Sequence, residues 1–281
     1  MTKRSLKPPP HAVLELFHSA PSYYSMVARL ALCEAHLPFT SRLLDIHLAR
    51  QQLSPAYGRL NPHMTVPTLR GPGLLLTDSE EILRHAARHS GSAWADDDSS
   101  LRPGIAAAVA GHYALSIETL TFSRLLAGQP WLTPLLTRLL TALVRTLEQQ
   151  ARSTPDGGAI ALAKANRNRE RLQIFAAAPA EQTLAAQRAQ VADFLAGLPE
   201  PPGSGCLFGP RISSADVVLA VLCARLTMIG EGRLLQRADL GAWWQRMQQR
   251  PAFRAADVWS RFHRRRFLAA VLAARHTPIE P

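Results

Sequence analysis

Ser22, in the run Ser22-Tyr23-Tyr24-Ser25, is the first residue of this 281-residue chain placed where it could do chemistry. From Ser25 onward Met26, Leu30, Cys33 and Leu37 recur at helical spacing, so the run sits at a helix start. A hydroxyl there is a donor beside the positive end of a helix, which favours an anion; Tyr23 and Tyr24 are alternative donors. The plainer reading of Ser22 is an N-cap. Asp78-Ser79 opens another helix, with Glu80 and Glu81 in its first turn. Free N–H groups and a hydroxyl at that point suit a carboxylate, and here too a simple cap would account for the residues. Between these two starts lies Val66-Pro67-Thr68-Leu69, a strand-like stretch interrupted at its beginning by proline.

Other constellations carry less. His85 and His89 share a helix face at i, i+4, but no Glu follows His85 in an HExxH arrangement and no third ligand is evident, so solvated histidines are expected and no metal. Asp96–Asp98 lacks the Gly and terminal Glu of a calcium loop. Cys33, Cys206 and Cys223 form neither a CxxC nor a metal pattern; Cys33 and Cys223 read as small packed hydrophobes, and the absence of a disulfide framework favours the cytoplasm. Trp243 and Trp244 read as helix packing. Ser213 and Asp216 form an S-x-x-D capping box ahead of the apolar run Val217–Ala224, a structural motif.

The formal charge of +11 rests almost wholly on Arg, with Lys only at 3, 7 and 164. The Arg residues are not gathered around stacking aromatics, so nucleic acid is not an expected partner. Arg264–Arg266, between Phe262 and Phe267, is the tightest cluster and the one place for a membrane-surface or nucleic-acid contact. No apolar run exceeds eight residues, so no membrane span is expected, and the basic start MTKRSLKPPP lacks the apolar core of a secretory signal.

The elements around these residues change character along the chain. A strand over 12–17, the helix from Ser25 to Pro38, a strand over 40–45, a polar stretch with a turn at Ser54-Pro55, strands over 66–69 and 74–77, and the helix after Asp78 make a small α/β unit. Residues 91–102 are small, polar and acidic and read as a linker. Helices are expected over 104–127, 132–151, 159–176, 181–198, 215–229, 240–249 and 252–274. The fold class is thus α/β followed by all-α. The expected domains are 12–90 and 103–274, with a flexible tail over 1–11 and a second tail over 275–281.

Taken in order, the residues resemble the glutathione transferase superfamily. The resemblance rests on Ser22-Tyr23-Tyr24-Ser25 leading into Arg29-Leu30-Ala31-Leu32, on Leu60-Asn61-Pro62 with Val66-Pro67-Thr68-Leu69, on Thr77-Asp78-Ser79 with Ile82-Leu83, and on Gly209 through Asp216. It implies a thioredoxin-like N-terminal domain followed by an extended all-helical one. It implies a cis Val66-Pro67 bond that turns the backbone of Val66 toward glutathione, whose cysteinyl segment pairs there like an added strand. Asp78 and Ser79 would hold the γ-glutamyl end; the family usually has Glu at the first of these. Ser22, eight residues before Leu30, matches the catalytic serine of the Ser-type branches. There the hydroxyl stabilises a thiolate whose free pKa lies near 8.5.

Within the superfamily the chain is similar to the tetrachlorohydroquinone dehalogenase and ganglioside-induced differentiation-associated branch. Ser54 through Asn61, Leu222-Cys223-Ala224-Arg225, Trp243 through Met247 and the long helical stretch between 121 and 178 carry that similarity. Reductive dehalogenation there needs a cysteine, and Tyr24 stands at the matching position, so that activity is not carried over. Thr65 replaces a frequent Gln or Glu before Val-Pro. The resulting expectation is a transferase using glutathione as co-substrate against a small apolar electrophile, with a possible homodimer. The rival is a catalytically degenerate glutathione-binding or scaffold protein of the same fold.

Overall fold

The computed structural model describes residues 14–153, 158–203, 205–275 and 277–279. The expected tail over 1–11 lies outside them. Strand β1 (Leu14–His18), helix α1 (Tyr23–Glu34) and strand β2 (Phe39–Leu43) form a β-α-β unit. Helix α2 (Pro55–Leu60), the hairpin strands β3 (Thr68–Gly71) and β4 (Leu74–Leu76), and helix α3 (Ser79–His89) complete the α/β half. The sheet runs β2-β1-β3-β4, with β1 parallel to β2 and antiparallel to β3, and β3 antiparallel to β4. Leu16, Leu69 and Ile82 are fully buried between the sheet and helices α1 and α3.

Nine helices follow among the described residues. They are α4 (Arg102–Ala114), α5 (Ile117–Gly128), α6 (Thr133–Ser153), α7 (Gly158–Ala177), α8 (Ala180–Ala196), α9 (Ser214–Met228), α10 (Ala238–Gln249), α11 (Pro251–Ala255) and α12 (Arg264–Ala274). Helix α9 is apolar on every side and lies at the centre of the main core, packed on α1 and α4. Helices α6 and α7 form a hairpin that packs back on Leu53 and Met64 of the α/β half. No single helix among the described residues is long and apolar enough to cross a membrane.

Several expectations need correction. Residues 104–127 are not one helix: α4 and α5 meet at Leu115–Ser116 with a turn of 42°, although neither Pro nor Gly marks the place. Residues 252–274 split into α11 and α12, because the carbonyls of Ala256 and Asp257 turn away to meet the buried Arg29 guanidinium. The polar stretch after β2 contains α2, capped by Ser54 with Pro55 at its first position, a local signal that was legible. The strand after the proline starts at Thr68, so Val66 and Pro67 lie ahead of it.

Residues 91–102 do not hang free as a linker. Trp94 is fully buried, and Asp96 accepts from the backbone N–H of Ser214 at 2.9 Å and also meets its hydroxyl. The segment after α12 is likewise no loose tail where it is described. Ile279 packs against the cluster of Phe17, Leu44, Tyr57, Leu60 and Val66.

Candidate functional site

Three loops of the α/β half carry the expected site residues, and each is held by buried polar side chains. The first precedes Ser22. Arg29, 4% exposed, donates to the carbonyls of Ser19 (3.3 Å) and Ala20 (3.0 Å), and Arg225, 7% exposed, donates to that of Pro21 (2.9 Å). Three successive carbonyls ahead of Ser22 are therefore gripped by two guanidiniums. Neither guanidinium has a carboxylate within ion-pair distance among the described residues. Burial pushes both guanidiniums down to about 10. Arg29 also reaches across the molecule to Ala256 and Asp257, so this loop is tied to the chain after α11.

Ser22 is the N-cap of α1. Its hydroxyl oxygen accepts from the backbone N–H of Ser25 at 3.5 Å, a long bond, and its proton has no acceptor among the described residues. The half-buried Ser22 hydroxyl is thus both a weak cap and an uncommitted donor. Tyr23 is not free in this way. Its hydroxyl is hydrogen-bonded to Nε2 of His112 at 2.6 Å, and burial, followed by the neighbouring Tyr24 and Tyr113, raises its pKa well above the usual phenol. His112 is held neutral by burial, with its pKa down to about 3. Tyr24 is half-buried, stacks on Tyr113 at 6.2 Å and 10°, and its hydroxyl has no partner among the described residues.

The second loop runs from α2 to Pro67. Asn61, fully buried, donates through Nδ2 to the carbonyl of Thr65 (2.9 Å), and the Tyr57 hydroxyl donates to the same carbonyl at 2.8 Å. This explains why Tyr57 and Asn61 belong with the Val-Pro pair in the sequence. The Val66–Pro67 peptide bond is cis. Among the described residues neither the N–H nor the C=O of Val66 takes an intramolecular hydrogen bond, so the backbone of this residue, which lies at a bend and is 8% exposed, is unpaired.

The third loop ends at α3. Asp78 is its N-cap, exposed, and accepts from the Glu80 N–H at 2.8 Å. Ser79 is 2% exposed and its hydroxyl meets that of Tyr113 at 3.1 Å. Ser79 is thereby partly committed to the helical half. Asn61 links this loop to the second through the Thr77 carbonyl at 3.2 Å.

The remaining singled-out residues are structural. Ser213 and Asp216 complete a reciprocal capping box on α9. Asp216 is fully buried and also accepts from Leu207 N (2.6 Å) and Trp243 Nε1 (3.0 Å), so Trp243 packs with a polar anchor. Trp244 is buried edge-on against Phe253. Cys33 is half-buried, and Cys206 and Cys223 are buried; burial pushes the Cys206 thiol up to about 12. His85 is buried rather than solvated, and His89 donates back to its carbonyl at 2.8 Å; burial lowers the His85 pKa. No group of three His, Cys, Asp or Glu among the described residues could hold a metal. Arg264 and Arg265 are exposed, while Arg266 pairs with Asp257 and lies 5.2 Å over the Trp259 ring.

A cavity of about 330 Å³ opens between α5, the end of α7 and the start of α8, bordered by Leu126, Phe175 and Pro179. None of Ser22, Tyr24, Val66, Pro67, Asp78 and Ser79 borders it.

Residues 16–94 match the family model described as the glutathione S-transferase N-terminal domain. Human glutathione S-transferase T1-1 in its apo form is similar over 95% of this chain and 93% of its own, at 21% identity and a TM-score of 0.56. The theta-class glutathione S-transferase of Xanthomonas axonopodis pv. citri, solved with glutathione bound, aligns at 18% identity, 87% and 97% coverage and a TM-score of 0.53. Ure2p in complex with glutathione aligns at 18% identity, 89% and 100% coverage and a TM-score of 0.52. No curated protein matches the chain by sequence.

The chain has the glutathione transferase fold. In that fold the α/β half is thioredoxin-like and the helices after residue 101 form the all-helical part, as the resemblance implies. Sequence reading missed Arg29 and Arg225 as the clamp on the loop before Ser22. Their partners lie up to 228 residues away, a relation no spacing encodes. It also missed His112 as the partner of Tyr23; a lone His inside an apolar helical stretch was the available signal.

Proposed function

We propose that this protein binds glutathione along the unpaired backbone of Val66, beside Pro67, and activates its thiol with the hydroxyl of Ser22. The observation that carries the reading is the Ser22 hydroxyl itself. It is an uncommitted donor at the N-terminus of the 12-residue α1, behind a loop whose carbonyls are neutralised by Arg29 and Arg225. A donor, a helix N-terminus and two cations favour a thiolate over a thiol. Asp78 and the first turn of α3 would take the γ-glutamyl end.

The proposed reaction is a transfer. The thiol proton passes to water, and the sulfur anion, held by Ser22, forms a bond to an electrophilic carbon. The leaving group departs from that carbon with its electron pair. The half-exposed ring of Tyr24, stacked on Tyr113 next to Ser22, offers an apolar surface for the acceptor. The reading also supports placement near the dehalogenase and ganglioside-induced differentiation-associated branch, through the long α6–α7 hairpin, without its cysteine chemistry.

A second reading is favoured by one observation: the Ser79 hydroxyl is engaged with Tyr113 and nearly sealed from solvent. On that reading the protein binds glutathione poorly or as a scaffold and transfers nothing. Calorimetric titration with glutathione, followed by conjugation assays across aryl and alkyl electrophiles, separates the two. Binding with turnover that collapses in Ser22→Ala supports the enzyme; binding with no conjugation supports the scaffold; no heat at millimolar glutathione ends both.

A further inference from the structure

Helix α6 has two apolar faces, and the fold uses one of them. Leu136 and Leu140 are half-buried, and Leu143, Val144 and Leu147 pack in the cluster that contains Leu53 and Met64. The opposite face is open. Trp131, in the turn that leads into α6, is 69% exposed, Leu135 is 49% exposed and Leu139 is 46% exposed. These three recur every four residues, and the exposed Ala142 follows three positions later, so they form one stripe along the helix. A surface helix needs a single apolar stripe to pack on its own protein. The inward stripe already does this, so the outward one has no cause among the described residues.

Charge indicates what this face fits. Arg138, Arg145 and Arg152 are exposed and recur every seven residues, a row that drifts only about 20° per step around a helix. Arg138 stands three residues after Leu135 and four before Ala142, so the row borders the stripe. None of the three has a hydrogen-bond or ion-pair partner among the described residues. From Trp131 to Ser153 the sole acid is Glu148, and Arg169 of α7 already engages it. In a two-fold contact between copies this face would meet itself, bringing Arg rows together with no carboxylate to offset them. A lone Trp among leucines is no stacking platform for a nucleic acid. An anionic bilayer suits every part of the face. The indole and leucines enter the boundary between headgroups and acyl chains, and the guanidiniums reach back to the headgroups. The net charge of +11 adds a long-range attraction.

We propose that α6, led in by Trp131, is a membrane-surface helix that lies on anionic lipid without spanning it. The proposal is independent of the glutathione reading. Trp94, Trp243, Trp244 and Trp259 are all buried, so Trp131 is the one exposed indole among the five of the chain and reports on the contact by its own fluorescence.

The test titrates the full chain with phosphatidylcholine vesicles, with and without roughly one-third phosphatidylserine. Binding is expected to the anionic vesicles alone and should fall steeply with salt. It should shift the Trp131 emission to the blue and expose it to quenching by brominated acyl chains. Trp131→Phe should remove the spectral change while the protein still sediments with the vesicles. Each Arg→Gln change at 138, 145 and 152 should weaken binding about fivefold, and all three together about a hundredfold. Leu135→Ser with Leu139→Ser should abolish the blue shift and the quenching with the circular dichroism unchanged, since both positions are exposed.

No binding to anionic vesicles overturns the proposal. So does binding that persists in the triple Arg variant, or that is lost instead in Arg264→Gln with Arg265→Gln, which would put the contact on α12. A dimer in sedimentation equilibrium that Leu135→Ser with Leu139→Ser dissolves would show a second copy covering this face and would overturn it as well. None of these results bears on the glutathione reading, which is decided by its own titration.

Discussion

Ser22→Ala separates a catalytic hydroxyl from a cap, and the structure sets the expected size of each effect. The cap bond from Ser25 N is 3.5 Å long, so its loss should cost toward the low end of the usual range, about 0.5 kcal/mol. A hydrogen bond from the hydroxyl to a thiolate is charge-assisted and contributes about 1.5–3 kcal/mol. At about 1.36 kcal/mol per unit, that loss raises the pKa of the bound thiol by about 1–2 units. The assay is the ultraviolet absorbance of the thiolate in the saturated complex, followed against pH, with turnover measured in parallel. In wild type, turnover should rise with pH and level off above the thiol pKa; in Ser22→Ala the whole profile should move to higher pH. Ser22→Asp sharpens the test, because an aspartate caps the helix well but repels a thiolate. It should restore stability and still raise the thiol pKa. If Ser22→Ala lowers the melting temperature but leaves the thiol pKa and the pH profile where they were, Ser22 is a cap only and the proposed chemistry is wrong.

Other outcomes follow from the same geometry. Arg29→Met strands carbonyls at Ser19, Ala20, Ala256 and Asp257 and should cost about 3–5 kcal/mol in urea unfolding. Arg29→Lys should recover little of it, since one ammonium cannot reproduce the fork. His112 is held neutral with a folded pKa of about 3, against an unfolded value near 6.5. Below about pH 6.5 the unfolded chain takes the proton and the native state does not, so the stability present above that pH falls as pH drops toward 3, by up to about 1.4 kcal/mol per pH unit. His112→Gln, which keeps a partner for Tyr23, should flatten that slope in unfolding measured between about pH 6 and pH 4. Tyr57→Phe removes the bonds to the Thr65 carbonyl and the Thr68 hydroxyl. It should raise the glutathione Kd several-fold while kcat at saturation changes little.

The parts of the fold legible in the sequence are those whose cause is local. The capping box of Ser213 and Asp216, the N-caps at Ser22 and Asp78, and the run into α9 each depend on residues within about four positions of one another. Helix α2 was equally legible from Ser54-Pro55 and was overlooked because its six residues show no clear period. The break between α4 and α5 carries no breaker. It lies three residues past His112, which is anchored to Tyr23 from the other half of the molecule. The buried stretch around Trp94 looked like a linker because its composition is polar. Its polar groups are satisfied by Ser214 and Arg211, more than a hundred residues on.

Residue order and short-range spacing established an α/β start, a helical continuation and three hydroxyl-bearing or proline-bearing loops, and the family resemblance implied that the start is thioredoxin-like. Tertiary packing decided which hydroxyls are engaged. It tied Tyr23 to His112, leaned Ser79 on Tyr113 and left those of Ser22 and Tyr24 without an acceptor among the described residues. It also brought Arg29 and Arg225 to three consecutive carbonyls and brought Arg167 of α7 to the His63 carbonyl in the loop before Pro67. Caps and periods are written in neighbouring residues because they act over one helical turn. The availability of a donor depends on every group that could accept from it, and in this chain those groups come from far along the sequence.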